Sequence, residues 1–164
     1  MHKKIAIRWG DLDANRHVAN TSYVAFMNET RMSFFLEQGF RQSFFEEHCI
    51  GPVLFSEEHY YLREIYQGDE VYADMELLGH TEDFKFVRFA HCLFNGQQEL
   101  SAYCEVLYGW IDLNHRKLVL PPPAIVEAMG RIPRSERFAV FSEKETRHPK
   151  IPSKKFGGPT AENA

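Results

Sequence analysis

The sequence predicts an α+β domain in which an antiparallel sheet of five strands wraps around one long central helix, and three observations predict it. Tyr23, Phe26, Met27, Thr30 and Phe34 recur at the spacing of one helical face. Val71, Ala73, Met75 and Leu77 alternate with Tyr72, Asp74 and Glu76, and Leu100, Ala102, Cys104, Val106, Tyr108 and Trp110 form a second stripe of the same period, which is that of half-buried strands. Turn signals at Gly68-Asp69, Glu82-Asp83 and Asn95-Gly96 divide this region into four strand-like segments with no helix between them, the pattern of a meander.

Taken in order, Ile5 and Ile7 mark a strand over 3–9, which Gly10 and the polar run to Asn15 break. The helix begins near Asn20, with Asn20, Thr21 and Ser22 as candidate N-caps, and Gly39 suits its C-terminal end. Val24, Phe35 and Leu36 lie outside the main stripe, so the helix needs burial on more than one side. A curled sheet supplies that, and the sheet's remaining apolar positions favour a second copy of the chain. Residues 40–52 read as a mixed connection closed by Gly51-Pro52, and the meander follows over 53–66, 70–79, 84–94 and 98–112. Asn95-Gly96 predicts a type I′ hairpin, which requires positive φ at both central residues. Pro121 to Pro123 stop the last strand, and Ala124 to Met129 predict a short helix. Beyond Arg131 the periodicity fades apart from Phe138, Val140 and Phe141. The division expected is one domain over 1–132 and a basic extension over 133–164, partly disordered and mobile from Arg147.

With 164 residues, 44% of them hydrophobic, the chain is long enough for one substantial core and too short for two ordinary domains. It shows no signal-peptide h-region and no membrane-spanning apolar run, so a cytoplasmic protein is expected. The net charge of −4 argues against general nucleic-acid binding. Basic charge concentrates in residues 131–164, which hold 8 Lys and Arg against 4 Asp and Glu. Cys49, Cys92 and Cys104 lack CxxC spacing and read as small hydrophobes, and His80, His91, His115 and His148 lack metal-ligand spacing. No metal or cofactor is expected.

Chemistry concentrates between the first strand and the helix. Asp11 and Asp13 occupy a short loop with Arg8, Arg16 and His17 close in sequence. Carboxylates in such loops ordinarily bond nearby backbone. What adds to this is the helix start just downstream. A buried helix N-terminus presents unpaired N–H groups and the positive end of its dipole, which can polarise a carbonyl and stabilise the oxyanion formed on attack. A carboxylate beside it can act as nucleophile or as a base for water.

The segment resembles the motif of small acyl-CoA thioesterases of the 4-hydroxybenzoyl-CoA thioesterase-like family, Arg-x-x-Asp-x-Asp-x-x-Gly-His-Val-Asn-Asn-x-x-Tyr followed by a helix carrying Glu-x-Arg. Arg8, Asp11, Asp13, His17, Val18, Asn20, Tyr23, Glu29 and Arg31 match it without gaps, and the likeness covers about residues 3 to 130. Arg16 stands where the family has Gly and Ala19 where it often has Asn, so a loop of different shape is expected there, because Arg adopts positive φ less readily than Gly.

The resemblance implies a hotdog fold, a homodimer or dimer of dimers, and hydrolysis of an acyl-CoA. It makes Asp13 the catalytic carboxylate and the Asn20 backbone N–H the carbonyl-polarising donor, with the Asn20 side chain capping the helix or orienting water. His17 either holds Asp13 or packs as a neutral core histidine. Asp11 ties down the loop, Tyr23 packs in the core or lines the acyl pocket, and Glu29 and Arg31, too close in spacing to share a helix face, each pair elsewhere at the subunit contact. Arg63, Lys85 and Arg88 are candidates for the phosphates of CoA, with solvated strand charges as the plainer reading. An acyl carrier protein as thioester donor, a hotdog hydratase pairing Asp13 with His17, and a non-catalytic acyl-CoA-binding protein remain open alternatives.

Overall fold

The computed structural model describes residues 2–147. The expected mobile tail lies outside the described residues from His148 onward. The elements are β1 (His2–Ile5), α1 (Asn20–Glu37), α2 (Gln42–Glu47), β2 (Ile50–Tyr61), β3 (Val71–His80), β4 (Phe86–Phe94), β5 (Leu100–Asp112), α3 (Pro123–Met129) and β6 (Arg134–Val140). The sheet runs β1-β3-β4-β5-β2 with antiparallel pairing throughout, and β6 adds in parallel to β3.

Register explains how one face is filled. Leu77 stands beside Phe89, which stands beside Val106, and Ala73, Leu93 and Ala102 form a parallel row. These side chains share one core with Tyr23, Phe26, Met27 and Phe34 of the α1 stripe read from the sequence, and with Phe35 beside it. Phe35 meets Trp110 edge to face at 6.1 Å. Burial of a large apolar side chain of this kind stabilises by about 1.5–3 kcal/mol. The helix thus lies in the hollow of the sheet, and its first turn emerges beside the end of β2.

Several elements differ from expectation, each for a local reason. The first strand stops at Ile5, and Trp9–Asp11 form a 3₁₀ turn in which the Arg8 N–H donates to Asp11 Oδ2 at 2.7 Å. The cap of α1 is Ala19, not one of the three polar candidates, so no side chain caps this helix. The Asn95-Gly96 hairpin is longer than type I′. Its positive-φ residue is Gln98, and Asn95 Oδ1 accepts from the N–H groups of Gln97 and Glu99 at 3.1 and 2.9 Å. An asparagine that bonds the backbone ahead of it converts the two-residue turn into a three-residue loop ending in a left-handed residue.

The largest difference is β6, which the fading periodicity concealed. It docks where Gly79 leaves room: a Cβ there would stand 2.1 Å from the Ala139 carbonyl oxygen. Beyond it, Lys85 pairs with Glu143 at 3.0 Å, Arg88 donates to the Glu145 carbonyl at 2.8 Å and its guanidinium lies 4.3 Å from the centre of the Phe141 ring. Arg137 pairs with Glu105 and bonds the Tyr103 hydroxyl. Among the described residues, no helix is long and apolar enough to cross a membrane.

Candidate active site

The loop between β1 and α1 is built by its own backbone. Asp13 N–H donates to His17 O at 2.9 Å and Arg16 N–H to Asp13 O at 3.1 Å, which closes a tight turn. Arg16 lies in the left-handed region with φ +70°, so an arginine occupies a conformation that favours glycine, at a conformational cost. Asp11 anchors the other side: its carbonyl accepts from Ala19 N–H at 2.8 Å and from Ser22 Oγ at 3.0 Å. Its tie to Arg8 runs through the backbone N–H.

The loop is also stitched to the segment after β2. Val18 N–H donates to Ile65 O at 2.7 Å, and His17 bridges Tyr66. A cleft of about 360 Å³ opens at this seam, lined by Asp13, His17, Val18, Asn20, Tyr23, Tyr61, Leu62, Arg63 and Glu64. Asp13, Asn20, His17, Tyr23 and Arg63 are therefore brought together. Lys85 and Arg88 are not among its lining residues; they hold the segment after β6, as described above.

Asp13 Oδ1 accepts the Asn15 N–H at 2.8 Å, which fixes the carboxylate, and its other oxygen stands 3.6 Å from His17 Nδ1. Across the cleft, α1 begins. Ser22 and Tyr23 N–H groups turn back to Ala19 O, while those of Asn20 and Thr21 have no hydrogen-bond acceptor among the described residues. With Ala19 as cap, nothing from the loop competes for these donors. Tyr23 is buried and also lines the cleft. It packs edge to face on Tyr61 at 5.2 Å and donates its hydroxyl to Arg63 O at 3.4 Å, and burial pushes that hydroxyl up, keeping it a donor. Arg63 stands 3.4 Å from Glu99.

Within the chain, Glu29 is exposed and pairs with Lys3 at 3.5 Å, while Arg31 is buried and meets Glu57 at 3.5 Å and Asn28. Its position about three turns along α1 places it under the sheet, so the ion pair is internal. Glu64, Tyr61 and Leu62 were not singled out in the sequence. Their place in the cleft depends on the pairing of Val18 with Ile65, a contact between segments far apart in the chain.

The model of the thioesterase-like superfamily matches residues 7–129. No curated protein matches the chain in sequence. Among solved structures, a hypothetical protein from Staphylococcus aureus in complex with CoA is similar at a TM-score of 0.72 and 17% identity, over 92% of this chain and 94% of that one. A thioesterase from Thermus thermophilus complexed with coenzyme A and Zn gives 0.64 and 25%, over 78% and 95%. A DHNA-CoA thioesterase from Staphylococcus aureus gives 0.71 and 16%, over 79% and 88%. The family match takes in every residue that lines the cleft, and the chain belongs to the thioesterase-like superfamily, with the hotdog fold.

Proposed function

We propose that this protein hydrolyses an acyl-CoA thioester to the free acid and CoA, with Asp13 as the reactive carboxylate and the Asn20 N–H as the donor to the thioester oxygen. The observation that carries the reading is that one cleft holds both a fixed carboxylate and a helix N-terminus without a side-chain cap. The two similar structures with CoA bound support CoA as the carrier. The three free cysteines fit action in the cytoplasm, a reducing compartment.

In the simplest course, Asp13 takes a proton from water as the water oxygen adds to the carbonyl carbon. The carbonyl π electrons move to oxygen, where the helix N–H stabilises the charge. Collapse of this intermediate expels the thiolate, which recovers the proton from Asp13. A thiol of pKa about 8.5 needs little acid assistance to leave, so a modest site suffices. Arg63 at the cleft supplies a cation for a CoA phosphate, and Tyr23 and Tyr61 form an aromatic wall for the acyl group.

The unit proposed is a homodimer joined through β2, or a pair of such dimers. Leu54, Phe55 and Tyr60 of that edge strand are exposed in the single chain. The test is thiol release from a panel of acyl-CoAs by the wild type and Asp13→Asn. A loss of at least about 100-fold in kcat is expected. Equal turnover by the two proteins overturns the role of Asp13; tight acyl-CoA binding without turnover by the wild type supports a binding protein instead; and turnover confined to acyl carrier protein thioesters reassigns the donor.

A further inference from the structure

We infer that Glu64 is a positioning residue of the site, acting on Asp13 through His17; the inference rests on the assignment of Asp13 above. His17 stands between two carboxylates. Its Nδ1 is 3.6 Å from Asp13 Oδ2, and its Nε2 is 3.8 Å from Glu64 Oε1. The other neighbour of Nδ1 is the Val18 carbonyl at 3.3 Å. Every polar group facing the ring is thus an oxygen able to accept a hydrogen bond.

The arrangement is built into the backbone. The Val18–Ile65 hydrogen bond and the His17–Tyr66 bridge set the Glu64 backbone opposite the loop, and the Tyr66 ring stands edge-on to the imidazole at 6.5 Å. The two oxygens of Glu64 have separate duties: one faces His17, and the other accepts the Tyr66 hydroxyl. Asp13 Oδ1 accepts the Asn15 N–H, while Oδ2 faces His17 and accepts the Asn15 side-chain amide at 3.5 Å. The charged and titratable groups around the imidazole are therefore Asp13 on its own loop, Glu64 and Tyr66 on the segment after β2, with Arg63 on that segment and Tyr23 on α1 lining the same cleft.

Glu64 accordingly orients the His17 ring from one side while its other nitrogen faces Asp13, which keeps the carboxylate turned to the cleft.

Two measurements test this. In the full-length protein without substrate, the NMR ring-proton signals of His17 at one fixed pH are expected to shift in Glu64→Gln. Unmoved ring signals overturn the proposal whatever the enzyme turns over. In thiol-release kinetics, Glu64→Gln is expected to lower kcat about tenfold with KM within about twofold, Glu64→Asp to restore part of it, and Glu64→Gln to have no further effect in a His17→Gln background. Additive losses, or a change confined to KM, overturn it. If Asp13→Asn turns over normally while the His17 ring signals still move in Glu64→Gln, the assignment of Asp13 fails and the pairing of Glu64 with His17 stands.

Discussion

Arg31 donates from Nη1 to Nε2 of His91 across 2.7 Å in a place where neither side chain meets solvent, their exposures being 2% and 1%. Arginine has no acceptor, so Nε2 of His91 bears its lone pair and the imidazole is neutral. Burial, and then the Arg31 charge, hold the His91 pKa well below its ordinary value. The unfolded chain binds a proton at this residue before the folded one does. Stability is therefore fully present above about pH 6.5 and falls as the pH drops below it, with a slope approaching about 1.4 kcal/mol per pH unit from this group. Denaturant titrations at pH 7.5, 6.5 and 5.5 check this: the dependence is expected to flatten in His91→Gln, whose amide oxygen can still accept from Arg31.

Asn20 is the first residue of α1, the one helical position where proline costs little because its N–H is unpaired in any case. Asn20→Pro therefore removes the donor and leaves the helix. Thioester hydrolysis is expected to fall about 100- to 1,000-fold with unchanged far-UV circular dichroism. Asn20→Ala, which retains the N–H, is expected to lose far less; equal losses in the two variants would assign the role to the side chain.

The left-handed Arg16 stores strain at the loop. A non-glycine residue there costs about 1–2 kcal/mol, part of which glycine returns as unfolded-chain entropy. Arg16→Gly is expected to stabilise the protein by about 0.5–1 kcal/mol, raising Tm by about 2–4 °C in calorimetry. A lower Tm would show that the Arg16 side chain holds the loop by its contacts.

Gly79 admits β6 to the sheet. A methyl group there meets the backbone oxygen of Ala139 at 2.1 Å, and backbone cannot step aside as a flexible side chain can. Gly79→Ala is expected to detach β6 at a cost of about 1–3 kcal/mol and to make the chain after Pro133 open to limited proteolysis. Cleavage no faster than in the wild type would mean that the ties of Lys85, Arg88 and Arg137 hold the segment without the strand pairing.

The parts of the fold legible in the sequence are those with a strong period. The α1 stripe and the alternation of β3 and β5 each bury what their spacing says. Strand β6 was hidden because only Phe138 and Ser135 of its seven residues are even partly buried, so it has no apolar period to read. The loop residues Asp13, His17 and Asn20 were legible because they are neighbours in the chain. Glu64 was not, since a glutamate after an edge strand reads as a solvated charge until the Val18–Ile65 pairing places it. Lys85 and Arg88 show the converse: charge suits them to phosphate, but sequence does not say which acidic residues have already taken them, and Glu143 and the Glu145 backbone have.

The two ends of the sheet are unlike. At one end the outer strands are β1, of four residues including Lys3 and Lys4, and the charged β6, short and basic edges that discourage further pairing. At the other lies β2, twelve residues long, with exposed leucine, phenylalanine and tyrosine. A ribbon sticky at one end only can be lengthened once. In the dimer proposed above, two copies meeting through β2 leave blunt ends on both sides, so that pairing also terminates the sheet and gives no route through it to a filament.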